Sequence, residues 1–169
     1  FEEEANISFL MMNNEDSEGY LGWANYPGTS PYGKTDSTVN NEMYDLDVDP
    51  DAVDPGSYYY LTFTHELGHA LGMGHPHDGS AQFPGVSYGG DTDGGDNNLN
   101  ATPWTVLSYN DVTATNGLSP NFADYYGFLE NLGAFEIATA QYLYGANLAS
   151  NAGDTVYALN EFELSGYRS

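Results

Sequence analysis

Three of the four histidines in this chain lie within eleven consecutive positions, at His65, His69 and His75. His65 and His69 are four residues apart, so on a helix their imidazoles lie one turn apart on the same face. Gly72 favours a helix end, because glycine adopts left-handed conformations at little cost, and the chain can then turn back towards the helix. The spacing therefore predicts a helix, its end and a turn that together bring three imidazole nitrogens to one site.

Such a site suits a zinc ion. The chain contains no cysteine, so a transition-metal site must use nitrogen and oxygen ligands. Three imidazole nitrogens at about 2 Å leave one zinc position open to water, as in catalytic rather than structural zinc sites. Glu66 follows the first histidine and would stand beside that water, where a carboxylate can take a proton and pass it to a leaving amine. The pattern predicts zinc-dependent hydrolysis of amide bonds.

The hydrophobic pattern places this motif on a helix over residues 58–71. At about 100° per residue, apolar side chains cluster on one side and polar side chains on the other. The predicted packing face comprises Phe63, Leu67, Ala70 and Leu71. The opposite face comprises Thr62, His65, Glu66 and His69. One face can therefore pack while the other carries out chemistry.

A second helix is predicted over residues 133–144, where Gly145 provides a stop. Its predicted core side chains are Phe135, Ala138, Tyr142 and Leu143.

Two strands are predicted near the N-terminus, over residues 5–12 and 20–26. A polar turn separates them, and Pro27 with Gly28 ends the second. They form either a hairpin or two edge strands. A further strand over residues 155–159 is expected to belong to a region that follows.

The chain is strongly acidic. It has 169 residues, of which 25 are acidic and 2 basic, for a formal net charge of -23 at pH 7. Such a chain repels nucleic-acid phosphates and anionic lipid, so we expect no nucleic-acid partner. No apolar run approaches the roughly 20 residues that cross a bilayer, so we expect a soluble segment without membrane insertion. The acidic surface suits a saline or calcium-rich exterior, although solubility alone explains it equally well.

Calcium is a possible second cofactor. Residues 45–56 form an acidic loop with regularly spaced aspartates, but this loop lacks the glycine and terminal glutamate of an EF-hand. Residues 91–96 are another candidate cation loop. His77 is expected to be an exposed loop histidine rather than a ligand, because its offset fits no helical partner.

The residues His65-Glu66-x-x-His69-x-x-Gly72-x-x-His75 form the long motif of the metzincin zinc endopeptidases, and the chain resembles that family. Pro76, the segment 105–109 and the segment 142–147 are similar to the serralysin branch, which comprises secreted bacterial proteases. The resemblance implies an α+β fold in which a twisted sheet lies over the zinc-binding helix. It also implies that residues 1–150 are a catalytic domain incomplete at its N-terminus, and that residues 151–169 begin a C-terminal β region.

The resemblance implies roles for individual residues. His65, His69 and His75 would bind Zn²⁺, and Glu66 would be the general base. Tyr109 would be a switchable fifth ligand whose hydroxyl helps to stabilise the tetrahedral intermediate. An extended polypeptide substrate would add to an edge strand formed by Gly22, Trp23, Ala24, Asn25 and Tyr26. The protein would be secreted, and its oligomeric state is left open.

One position departs from the family. Metzincins carry a methionine in the turn beneath the zinc, and the matching residue here is Leu107. Exchanges of leucine and methionine usually cost under about 1.5 kcal/mol, so the floor of the site is expected to survive. The alternatives are a catalytically silent adhesion or binding module that retains the fold, and a peptidase of another metzincin branch.

Overall fold

The computed structural model describes residues 6–12, 20–29, 35–40, 53–110, 127–149 and 152–154. These ranges contain three strands, β1 (Ile7–Met12), β2 (Gly22–Ala24) and β3 (Thr35–Asn40), and two α-helices, α1 (Tyr58–Ala70) and α2 (Ala134–Tyr144). Single 3₁₀ turns lie at Gly79–Ala81 and Asp96–Asn98. This mixture of helices and strands is compatible with the predicted α+β class. The predicted strand at 155–159 and the acidic loop over 45–52 lie outside the described residues.

The described strands form one mixed sheet in the order β1-β3-β2. β1 runs parallel to β3, with Ile7 opposite Thr35, whereas β2 runs antiparallel to β3, with Gly22 opposite Val39. Of the two predicted arrangements, the hairpin is therefore wrong and the two edge strands are confirmed, because β1 and β2 are the edges of the described sheet. β3 was not predicted, because its sequence TDSTVN carries little apolar alternation.

Helix α1 begins and ends where its sequence predicts, within one residue at the C-terminus. The Ser57 hydroxyl accepts a hydrogen bond from the Tyr60 N–H at 3.0 Å and so caps the first turn. At the other end, Gly72 takes a φ of 92°, in the left-handed region that favours glycine. The Met73 N–H then donates to the Gly68 carbonyl at 3.1 Å, which turns the chain back over the last helical turn.

Both faces of α1 are enclosed. Ala70 from the predicted packing face is buried, and the other three residues of that face are partly buried. On the opposite face, Thr62, Glu66 and His69 are buried as well. The helix packs against β2 and β3, and Phe63 lies with its ring centroid 6.1 Å from that of Phe9 in β1. The main apolar cluster consists of Leu61, Met73, Val106, Leu107 and Phe128.

The predicted core face of α2 is wrong for three of its four residues. Ala138, Tyr142 and Leu143 are exposed, while Phe135 is partly buried with its ring 4.9 Å from that of Phe83. The sequence AFEIATAQYLY is apolar almost all round, so its periodicity does not single out one packing face. None of the helices in the described ranges is long and apolar enough to cross a membrane.

The buried residue of α2 is Glu136, which is only 2% exposed. Its carboxylate accepts hydrogen bonds from the Gly133 N–H at 2.9 Å, the Val106 N–H at 3.3 Å and the Thr105 hydroxyl. A carboxylate in the first turn of a helix is also stabilised by the helix dipole. Glu136 therefore fastens the start of α2 to the segment that carries Val106 and Leu107.

We predict that Glu136→Ala lowers the free energy of unfolding by about 3 kcal/mol, because it leaves buried donors without their charged acceptor. The measurement is urea denaturation of the full chain. Glu130→Ala, at an exposed glutamate, is the control and should change the free energy by no more than about 0.5 kcal/mol. Equal losses in the two variants would contradict the assigned role of Glu136.

Candidate metal centre

The Nε2 atoms of His65, His69 and His75 face one another. The distance from His69 Nε2 to His65 Nε2 is 3.1 Å, and the distances from His75 Nε2 are 3.0 Å to His69 and 3.2 Å to His65. Helix α1 supplies His65 and His69 one turn apart, and the turn after Gly72 supplies His75. The three residues predicted to share a site are thus brought together.

The Nδ1 atom of each of the three rings lies within hydrogen-bond distance of an oxygen acceptor. His65 Nδ1 donates to the Val106 carbonyl at 2.7 Å, and His69 Nδ1 donates to the Met73 carbonyl at 2.8 Å. His75 Nδ1 lies 2.7 Å from the Asp78 carboxylate. Carbonyl oxygens only accept, so a neutral His65 or His69 carries its proton on Nδ1 and presents a lone pair at Nε2.

This donor set fits a zinc ion. Converging lone pairs repel one another, and a cation between them removes that repulsion. Ligands about 2.1 Å from a tetrahedral zinc ion lie about 3.4 Å apart, close to the separations among the three Nε2 atoms. Backbone carbonyls and a carboxylate behind the rings are the usual partners that orient metal-binding histidines.

The site also holds the two triad histidines of α1 in the neutral form. Burial, with a contribution from neighbouring His69, lowers the pKa of His65 to about 3. Burial likewise lowers the pKa of His69. Neutral imidazole is the form that binds metal.

Glu66 lies on α1, between His65 and His69 in sequence, and is 4% exposed. Burial raises the pKa of its carboxyl to about 8. Glu66 and His65 line a cleft of about 340 Å³ together with Tyr109. Glu66 therefore borders a cleft large enough to admit part of a substrate.

Tyr109 lies against the histidine triad and is 56% exposed. Its ring is nearly parallel to that of His65, with centroids 5.6 Å apart, and lies 4.7 Å from that of His75. Burial and the neighbouring Glu66 raise the pKa of the phenol, so it keeps its proton at neutral pH. The hydroxyl can therefore donate a hydrogen bond at this site.

The predicted substrate strand Gly22–Tyr26 meets the site in two places. Gly22 lines the cleft, and the Tyr26 ring lies edge-on to that of His69 at 5.9 Å. Trp23, Ala24 and Asn25 are not among the residues that line the cleft. Strand β2 ends at Ala24, so the last two residues of the predicted strand lie beyond it.

Leu107 is buried and packs against Gly68 of α1, the helix that carries His65 and His69. A Cβ atom at Gly68 would lie 3.0 Å from Leu107 Cδ2, closer than side chains normally approach. The importance of Gly68 was missed at the level of sequence. The sequence does carry a signal for it: glycine inside a helix costs about 1 kcal/mol relative to alanine, so its presence there indicates that another segment packs closely against the helix.

The expectation that His77 is exposed is wrong. It is 6% exposed, and its ring stacks on that of His75 with centroids 4.9 Å apart and an interplanar angle of 14°. The chain folds back here, because the Gly89 N–H donates to the His77 carbonyl at 3.3 Å. Asp78, which supports His75, was also missed, since no local pattern marks a carboxylate three residues after a ligand.

The candidate cation loop at residues 91–96 uses its central aspartate internally. Asp93 accepts hydrogen bonds from the Ser87 N–H, the Ser87 hydroxyl and the Gly95 N–H at 2.8 to 3.0 Å. These bonds lower the pKa of Asp93. Within the described ranges, this loop does not form a cluster of three convergent ligand groups. Calcium therefore stays a prediction from sequence.

Comparison with known proteins finds similar sequences among bacterial metalloproteases. The chain is 31% identical over 171 residues to Serralysin B of Dickeya chrysanthemi, a match that covers 94% of this chain. It is 33% identical to Metallopeptidase AprA of Pseudomonas marginalis, a match that covers 85% of this chain. It is 32% identical to Serralysin of Proteus mirabilis, a match that covers 83% of this chain. The chain is serralysin-like. It spans 31%, 28% and 27% of the lengths of these three relatives.

No protein-family profile matches this serralysin-like chain. The relationship therefore rests on the pairwise matches, in which most of the chain aligns with under a third of each relative.

We predict that Leu107→Met in the serralysin-like chain lowers the free energy of unfolding by less than about 1.5 kcal/mol, since the two side chains fill similar volumes. Leu107→Ala is the matched variant and should cost about 2–5 kcal/mol through the cavity it leaves. Urea denaturation measures both. A loss in Leu107→Met as large as that in Leu107→Ala would contradict the view that the two side chains are interchangeable at this position.

Proposed function

We propose that the chain is the catalytic part of a secreted, zinc-dependent endopeptidase with a metzincin-like fold. The observation that carries the proposal is the convergence of three Nε2 atoms beside the buried carboxyl of Glu66, at the wall of an open cleft. Similarity to proteins named serralysin and metallopeptidase supports the same reaction class.

In this proposal His65, His69 and His75 bind the zinc ion. Zinc, when bound, activates water and polarises the carbonyl of the scissile peptide bond. The hydrogen bonds behind the three rings keep them aimed at the ion.

Glu66 is the proposed general base. Its carboxylate takes a proton from the attacking water and passes it to the amine that leaves. Burial raises the pKa of the Glu66 carboxyl, and a divalent cation bound nearby would lower that pKa by favouring the ionised form. The result is a carboxyl able both to accept and to release a proton near neutral pH.

Tyr109 is the proposed donor to the oxygen on which negative charge develops. Its phenol keeps its proton and its ring lies against His65 and His75. A donor placed before the reaction begins stabilises the transition state without reorganisation.

An extended polypeptide is the proposed substrate. In the described sheet β2 pairs with β3 along one side, so its other side can pair with an added strand. Gly22 of β2 also lines the cleft beside His65 and Glu66. Backbone pairing places little demand on side chains, so we expect loose sequence selectivity.

The proposal also covers where the protein acts and whether it binds calcium in addition to zinc. Secretion rests on the similarity to serralysins and agrees with the acidic composition. Calcium binding remains a prediction for the acidic loops, and a nucleic-acid partner is not expected at a net charge of -23. Residues 1–150 would belong to the catalytic domain and 151–169 to a following region.

We predict that Glu66→Gln keeps the zinc ion and loses at least about a hundredfold in peptide cleavage, because it removes a base and no ligand. His69→Ala is the contrasting variant and should lose zinc as well as activity. Metal content and casein hydrolysis are measured on both. Wild-type cleavage by Glu66→Gln would refute the mechanism. Zinc binding without casein hydrolysis in the wild-type chain would favour the silent binding module.

We predict that Tyr109→Phe retains zinc and its stacking on His65 but loses about a hundredfold in kcat, since it lacks the hydroxyl that donates to the developing charge. Steady-state kinetics with a peptide substrate give kcat and KM separately. An unchanged kcat would remove Tyr109 from the mechanism.

A further inference from the structure

A second group of metal-binding side chains lies beside the triad. His75, His77 and Asp78 each offer a ligand atom, and these atoms lie within 4.8 Å of one another. In the part of the chain that the structure describes, this is the one group of its kind besides the triad. The two groups share His75, whose Nε2 faces the triad while its Nδ1 contacts Asp78 at 2.7 Å.

His77 is the residue that the proposed peptidase mechanism leaves unexplained. The side chain is 6% exposed, and its buried Nδ1 atom has no hydrogen-bond partner among the described residues. A buried polar atom left unsatisfied costs about 1–3 kcal/mol, and native proteins usually give such an atom a partner. A metal ion is a partner that an imidazole lone pair can take.

We propose that His75, His77 and Asp78 form a second zinc site, weaker than the triad, that shares His75 with it. Two imidazoles and a carboxylate are ligands that zinc accepts. Ligands about 2.1 Å from one ion lie at most about 4.2 Å apart, so a pair of ligand atoms at the 4.8 Å limit would have to move closer by roughly half an ångström. Asp78 is 51% exposed at its side chain and can supply that movement.

Occupation of this site acts on the first one. The second ion takes the Asp78 oxygen that now contacts His75 Nδ1, and coordination through Nδ1 releases its proton to water. His75 thereby loses the carboxylate that orients it. The Tyr109 ring, 4.9 Å from that of His77, lies against the same group. Excess zinc should therefore inhibit peptide cleavage by binding to His75, His77 and Asp78.

The experiment titrates the metal-free full chain with Zn²⁺ and measures bound zinc by equilibrium dialysis. The wild-type chain should bind a first ion tightly and a second ion more weakly. His77→Phe keeps an aromatic ring against His75 and removes both nitrogens, so it should bind one ion only. Excess zinc should lower wild-type cleavage by at least about tenfold, as loss of a supporting partner does, and leave His77→Phe within about twofold of its own maximum.

The control variant is Asp91→Asn, which removes a charge near His77 from outside the group and should still bind two ions. His77→Asn is measured beside His77→Phe, so that a folding failure in one variant does not decide the result. One ion on the wild-type chain, or two ions on both His77 variants, would overturn the second site. No ion at all would overturn the triad and the proposed function with it.

Discussion

The hydrogen bond from His65 Nδ1 to the Val106 carbonyl couples the histidine triad to the rest of the chain. It spans 41 residues of sequence, whereas His69 and His75 find their acceptors within four residues. Because this acceptor is a backbone atom, the side chain at position 106 can change without loss of the bond. A shift of the backbone segment that carries Val106, by contrast, would break the hydrogen bond.

The segment that carries Val106 is hydrogen-bonded to α2. Glu136 accepts hydrogen bonds from Thr105 and Val106, and the next residue, Leu107, packs against Gly68. A buried carboxylate is costly unless it is well hydrogen-bonded, so its burial here is evidence that the segment is fixed. Helix α1 is thereby positioned from two directions, by a polar contact at His65 and by an apolar contact at Gly68.

The parts of the site that could be predicted from sequence are local. His65, His69 and Gly72 are linked by helical geometry, so their spacing sufficed to place the first ligands and the end of α1. His77 and Glu136 could not be placed in the same way, because their burial depends on segments distant in the chain. The exposed face of α2 escaped prediction for a different reason, since a helix apolar all round carries no period to interpret.

The parallel pairing of β1 with β3 has a consequence for how the chain folds. Ile7 pairs with Thr35, a separation of about 28 residues, and β2 lies between them in sequence but at the far edge in space. The pairing of β1 with β3 cannot grow from a tight turn, since the ends of a long loop must meet before these two strands pair. The backbone hydrogen bonds of helix α1, which carries His65 and His69, join near neighbours instead. The two histidines that α1 supplies are therefore positioned relative to each other by short-range contacts, whereas the pairing of β1 with β3 joins residues about 28 positions apart.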